Sequence, residues 1–437
     1  MSAESLREAV QYALTTNPSI RASQSDMRAA AFELMELRGE FLPVVTLDAE
    51  SGYERIDDPS SLSASDNDST KPNNLIGLRA EIVLFDGFRR SNLVYANCGA
   101  RHGSIFRLLD ASETMALNAT EAYIDVYRHR VLTEVAARNV TKHEEIGQRV
   151  TQLVEGGRLP YSDQLTIEDR IKSARLALLE VQRALRDADA RYERVVGRKP
   201  SGGMSVPRAP VPASLQALTE QAVRNSFRVR FARTQIDQSR FQTEVELSDW
   251  YPRLTLKCRG LARDQSQWGK RHPHRSGDRD RVALDALPGR ASGGTQRPCR
   301  AQQPRCGAAG SRRARSHRTR RTHLEHLSHR LEATAQLDEQ LRINALIVEV
   351  YGEEFDAAKR SLLDLLEVER ARFNVEFEAV GARAGLAFST YRALAAQSLL
   401  AEHFGVPRSE ITLEPQFQER ARSGPTAVFN VAIEPLK

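Results

Sequence analysis

Short runs of strict apolar–polar alternation interrupt a chain otherwise patterned for helix. Val45, Leu47 and Ala49 alternate with Thr46, Asp48 and Glu50; Leu78, Ala80, Ile82 and Leu84 alternate with Arg79, Glu81 and Val83. A period of two predicts strands with one apolar and one mostly polar face. Leu254, Leu256 and Cys258, set between Arg253, Thr255, Lys257 and Arg259, predict a third. Before the first strand, Ser5–Asn17 is patterned as a helix ended by Asn17-Pro18. Pro18 then opens a second helix that runs to about Glu40 and is broken by Pro43. Residues 55–76, rich in Asp, Ser, Asn and Pro, are expected to be a solvated loop.

The next stretch, Phe88 to about Glu155, has no proline and few glycines. At about 1.5 Å per residue it predicts a helix near 100 Å long, which implies coiled-coil-like packing. Gly156-Gly-Arg-Leu-Pro160 turns the chain and Tyr161–Val196 returns as helix. Stacked end to end, that helix and the one opened by Pro18 would match the long one on the return path. Helix resumes near Ala335, turns around Phe355–Ser361 and continues to about His403.

Much of this is said twice. Ser5-Leu6, Ala13, Pro43 and Leu47 recur as Ser214-Leu215, Ala222, Pro252 and Leu256, at one constant offset and without a gap. The organisation expected is a first repeat over 4–197, a linker over 198–213, a second repeat over 214–405 and a C-terminal tail over 406–437. The second repeat includes helices at Ser214–Asn225 and Phe227–Ser248 and is interrupted at about 270–331.

Composition locates the charge. The formal net charge is +6, but residues 271–330 alone contribute about +11 from arginines without a single lysine, leaving about −5 for the rest. The four cysteines are too scattered for a disulfide framework. No apolar run reaches the 18 residues of a membrane helix. No basic start and apolar core precede the first amphipathic helix; taken literally that says cytoplasmic, and a mature form would begin in the same way.

Strands with one apolar face fit either a soluble sheet or a barrel with lipid outside and water inside, the only sheet that spans a membrane. Helices near 100 Å favour a channel crossing a wide compartment. Two strands per repeat give four per chain, too few to close a barrel of at least about 8 strands, so a homo-oligomer is required. The chain resembles the TolC-like outer-membrane channel family over about 4–265 and 335–405. The resemblance rests on the Ser-Leu-x-x-Ala helix with Asn17-Pro18, Phe41-Leu-Pro43, Leu84-Phe-Asp-Gly87, Gly157-Arg-Leu-Pro-Tyr-Ser-Asp163, Arg194-Val-Val-Gly197 and Arg360-Ser-Leu-Leu-Asp-Leu-Leu-Glu367.

That resemblance implies a mainly α chain with a small β part: a long-helix tunnel plus four strands given to a trimeric 12-stranded barrel. It implies an outer-membrane location with a periplasmic tunnel. It also implies a passive conduit for efflux or type I secretion, working with a periplasmic adaptor and an inner-membrane transporter, without cofactor or catalytic chemistry. The wording around Asp163 and Asp364 is closer to secretion members. The rival is a soluble coiled-coil scaffold with a basic nucleic-acid-binding arm.

The two helix–turn–helix tips carry the candidate residues. Asp364 and Glu367, three apart on one helical face, would form carboxylate rings under threefold symmetry and set selectivity at a pore constriction; a solvated helix face is the plainer alternative. By resemblance, Arg360 matches the family's gating arginine, and Ser162 and Asp163 match its hydroxyl and carboxylate partners. Phe355 stands where some relatives carry tyrosine, so a hydroxyl-dependent link is not expected, and Ala358 replaces the usual turn glycine.

Residues 271–330 do not fit the repeat. They lack aromatics, Ile and Lys, yet hold six of the ten histidines and Cys299 and Cys306. A nucleic-acid arm would lack aromatics for stacking, and a metal site would lack recognised ligand spacing. The favoured alternative is a shifted reading frame. Codons exist for Ala286-Leu-Pro-Gly289 that, one base later, read Leu-Tyr-Arg-Gly, close to the strand exit Leu84-Phe-Asp-Gly87. A shift of that kind would remove the fourth strand and much of the second long helix.

Overall fold

The computed structural model describes residues 4–56, 69–207, 224–263, 281–287, 329–357 and 359–412. Among them a 67-residue helix, α3 (Arg89–Glu155), is the spine on which most other elements pack. Two helices precede it, α1 (Leu6–Thr16) and α2 (Pro18–Gly39). Ser5 caps α1 through a capping box with Glu8, and Asn17 closes α1 while its side chain accepts the Ser19 N–H at the start of α2. The return helix α4 (Tyr161–Val196) lies along the lower part of α3, and Asn17 Nδ2 donates to Val195 O at 3.3 Å. The two shorter helices therefore meet near Asn17 and share the length of α3, the expected end-to-end arrangement. No helix of the described residues is long and apolar enough to cross a membrane.

The sheet is antiparallel throughout, in the order β2 (Val44–Ile56), β3 (Ser69–Phe85), β5 (Arg253–Arg263) and β6 (Arg281–Leu287). A separate two-stranded pair joins β1 (Glu4–Ser5) to β4 (Met204–Ser205) in parallel. The register puts Val45, Leu47, Leu78, Ala80, Leu256, Cys258, Val282 and Leu284 on one face and Thr46, Asp48, Arg79, Glu81, Lys257, Arg259 and Asp285 on the other. The apolar face has no cover: Leu47 is 69% exposed, Ile76 59% and Val282 70%.

Four expectations are corrected. The loop expected over 55–76 is shorter, because β2 runs to Ile56 and β3 starts at Ser69. Backbone pairing does not depend on side-chain polarity, so the polar hairpin arms pair as strand beyond the apolar alternation. The fourth strand is present: Arg281–Leu287 pairs with β5 inside the stretch expected to be lost, its apolar positions on the apolar face and Asp285 bonded to Lys257 at 2.9 Å. The helix expected from about Ala335 begins at 329. The last long helix, α7 (Leu362–Ala396), stops before His403 because Ser398 takes a left-handed φ of 58°; α8 (Leu400–His403) restarts beyond it.

The later half of the chain also contains α5 (Phe227–Leu247) and α6 (329–356). The expected tail begins as structure: Val406 and Ile411 are buried in the main core, the latter on α9 (Arg408–Thr412). The expected helix over 214–223, Ala358, Cys299 and Cys306, the rest of the arginine-rich segment and residues 413–437 lie outside the described residues.

The joint between sheet and spine is built from the motif Leu84-Phe-Asp-Gly87. Gly87 has φ +66°, and a Cβ there would stand 2.7 Å from Ser248 O and from Tyr251 Cβ, so only glycine fits. Asp86 Oδ2 accepts from Arg90 Nε at 2.7 Å, while Arg90 also donates to Val83 O at 2.8 Å and Glu40 O at 3.1 Å and lies over the Phe41 ring. One arginine thus ties the end of α2, the exit of β3 and the start of α3.

Candidate functional site: the paired helical tips

At the far end of α3 the first tip is a tight turn. Gly157 takes φ +70°, and the Arg158 and Leu159 N–H groups donate back to Leu153 O at 2.8 and 3.3 Å. Pro160 then precedes α4, where the Ser162 carbonyl accepts from Thr166 Oγ1 and Asp163 lies in the first turn. The second tip joins α6 to α7. Ser361 caps α7: its Oγ accepts from Asp364 N at 3.3 Å and donates to Asp364 Oδ2 at 2.8 Å.

An apolar cluster of Ile146 and Val150 from α3, Ile167 from α4, Phe355 from α6 and Leu362, Leu365 and Leu366 from α7 joins the tips. Phe355 is 4% exposed, so the position that could have carried a hydroxyl is core. At the rim, Arg149 reaches Asp356 at 3.4 Å, a polar link between the first long helix and the second tip.

The candidate residues divide. Arg360 is not brought onto Ser162 or Asp163 within the chain. Its Nε donates to Glu354 Oε2 at 2.8 Å and its guanidinium lies 4.3 Å from the Tyr351 ring centroid, both on its own tip. That hydrogen bond is the main reason its basicity is raised further. Asp364 and Glu367 do not act alike: Asp364 is turned back to cap α7, while Glu367 is exposed.

Sequence reasoning missed Glu354, Tyr351, Arg149 and Asp356. Glu354 meets Arg360 across the turn, a spacing of six that helical periodicity does not pair. It also missed two buried carboxylates near the middle of the molecule. Glu4 accepts from Arg198 Nη2 at 2.6 Å, Tyr192 Oη at 2.9 Å and Ser201 N at 3.2 Å. Burial, with Glu4 adding to it, pushes the Tyr192 hydroxyl far up. Glu113, on α3, accepts the first N–H groups of α8, from Leu400 at 3.0 Å and Ala401 at 3.3 Å. Its carboxyl is pushed up to about 7 by burial, against the pull of those N–H groups and of Arg408.

A spine helix of 67 residues with a small exposed sheet at one end and paired turns at the other is a geometry known from solved channels. Residues 9–198 match the family described as outer membrane efflux protein. Among solved structures, CusC superposes with a TM-score of 0.76 at 13% identity, covering 89% of this chain and 91% of that one. The open state of the Neisseria gonorrhoeae MtrE outer membrane channel superposes at 0.75 with 17% identity, covering 93% and 90%. The Campylobacter jejuni CmeC outer membrane channel does so at 0.71 with 14% identity, covering 90% and 86%. No curated protein sequence matches significantly. The family is a channel family rather than an enzyme family. Residues 9–198 are thus similar to the outer membrane efflux protein family, and the described chain as a whole has the fold of these solved outer-membrane channels.

Proposed function

We propose that three copies of this chain close a 12-stranded barrel in the outer membrane and continue it as a helical tunnel, a passive conduit with no catalytic step. The observation that carries this is the sheet: four strands, one uncovered apolar face, one charged face, and both outer edges, on β2 and β6, unpaired among the described residues. A soluble sheet would bury that apolar face, and an open edge is not stable in lipid. The helices offer matching support. Leu165, Leu176 and Leu179 on α4 and Ile343, Leu346 and Val350 on α6 are 44–65% exposed in the single chain, as interfaces between copies would be.

The conduit would work with a periplasmic adaptor and an inner-membrane transporter, for efflux or for type I secretion. In the trimer the tips meet at the closed end, where Glu367 and Asp364 would line the constriction. Arg360 would hold the second tip in its closed form through Glu354 and Tyr351; its matching to Ser162 and Asp163 would then apply between copies. The arginine-rich remainder of 271–330 is best accounted for by a shifted reading frame, which the nucleotide sequence decides.

The test is single-channel conductance in planar bilayers. The wild-type trimer is expected to give small, rarely open pores, and Arg360→Ser to raise conductance. A pore with conductance unchanged by Arg360→Ser would remove Arg360 from gating, and no pore at all would overturn the conduit.

A further inference from the structure

Glu113, on the spine helix α3, is only 7% exposed and stands where the end of the chain folds back. Helix α7 ends at Gln397, and Ser398 turns the chain with a left-handed φ of 58°. Helix α8 then restarts with its first N–H groups donated to the Glu113 carboxylate, at 3.0 Å from Leu400 and 3.3 Å from Ala401. The residue before α8 supplies no side-chain cap of its own. A non-glycine residue in the left-handed region is strained, so this restart leans on the one carboxylate that satisfies it.

The unit that α8 opens closes over the beginning of the chain. Phe404, Val406 and Ile411 enter the main core. The Phe404 carbonyl accepts from Arg7 Nε at 3.1 Å and Gln11 Nε2 at 2.8 Å, and the Ile411 carbonyl from Gln24 Nε2 at 3.4 Å. Few charged groups face Glu113. Arg408 of α9 does, but its guanidinium is shared: Nη2 reaches Ser398 O at 3.4 Å and Glu402 of α8 at 3.7 Å, and the group lies over the Phe227 ring of α5. Asp110, on α3 itself, adds negative charge and is paired with Arg228 of α5 at 2.9 Å. His403 of α8 packs against Tyr391 and Phe404 instead.

We propose that Glu113 is a proton-operated latch on the α8–α9 unit: with its carboxyl protonated the unit is held firmly on α3, and with the carboxylate charged it loosens. The cause is burial. An ionised carboxylate loses most of its hydration when the unit is docked and regains it when the unit lifts, whereas the neutral acid is nearly indifferent. The two N–H groups and Arg408 favour the charged form without outweighing burial, which pushes the carboxyl up to about 7 from an ordinary 4.5. Between those values the docked state holds a proton that the lifted state does not. Docking therefore strengthens as pH falls from about 7 toward 4.5 and weakens as pH rises through about 7. The device lies within one chain and does not rest on the barrel.

Hydrogen exchange read by mass spectrometry on the full chain in detergent tests this, with the amides of 398–412 as the report and those of α4 as the internal reference. After correction for the intrinsic pH dependence of exchange, protection of 398–412 should be about 70-fold greater at pH 5 than at pH 8, the ratio given by a shift from 4.5 to about 7. The α4 amides should change far less. Glu113→Gln, neutral at every pH, should abolish the dependence and keep the protected level at pH 8. Arg408→Gln removes the nearest cation and should move the midpoint of the change to higher pH. Equal protection of wild type at both pH values, or a dependence that survives in Glu113→Gln, would overturn the latch. Should Glu113→Gln fail to fold, an unmoved midpoint in Arg408→Gln would overturn it instead.

Discussion

The two hairpins of the sheet are unequal among the described residues. In the first, β2 and β3 pair from Val44↔Glu81 to Ile56↔Ser69; in the second, β5 and β6 pair only from Arg253↔Leu287 to Arg259↔Arg281. Seven residues at about 3.4 Å cover roughly 24 Å along the strand and less once tilted, against an apolar band of about 25 Å. The exit of the first hairpin is clamped by Asp86 and Arg90, whereas the residues following β6 lie outside the described ones. Among the described residues, β2 has 13 residues of open edge and β6 has 7, so the first hairpin is the better supported half of the sheet.

That contrast can be broken most severely at the clamp. Arg90→Ala would leave Asp86 and two carbonyls without their shared donor in a site where both charged side chains are 11% exposed. Losing one partner of such a pair is expected to cost about 3 kcal/mol, read as a lower thermal midpoint in detergent. An unchanged midpoint would mean that the first hairpin does not owe its advantage to this joint.

Next is the dock where Glu113 of α3 holds the start of α8. Its folded pKa of about 7 lies above the ordinary value of 4.5. The folded state therefore takes up a proton between those values, so this group adds stability as pH falls from about 7 toward 4.5 and loses that contribution as pH rises. Comparing Glu113→Gln with wild type at pH 5 and pH 8 should reveal a difference of about 3 kcal/mol between the two pH values; parallel pH profiles would contradict it.

The smallest effect is expected at the second tip. Ser361→Ala removes the cap of α7 and should cost about 1 kcal/mol, with the sheet unaffected by cross-strand cysteine trapping.

Much of the fold was legible in the sequence because the signals are local. Period-two alternation located β2, β3 and β5, and the absence of proline located α3. Asn17-Pro18 and Gly156-Gly157 marked turns whose geometry depends on a few adjacent residues. What was not legible depends on distance in the chain. Leu400 and Glu113 are 287 positions apart, and no periodicity announces that a carboxylate on one helix will start another. The break at Ser398 belongs to the same class, since the helix can stop there because Glu113 receives the new N-terminus. At the tips the turns were visible but the partners were not: Arg360 reaches Glu354 through the curvature of a turn, and Asp364 serves its own helix end before any pore. The fourth strand was hidden by the arginine-rich composition around it, although Val282, Leu284 and Ala286 keep the alternation in place.

The central claim is that the free edges of β2 and β6 meet between copies. Light scattering on the detergent-solubilised protein, with the detergent contribution subtracted, measures this most directly. The account predicts a particle containing three copies of the 48.9 kDa chain; a stable single-chain particle in detergent, with both edges unpaired, would contradict it.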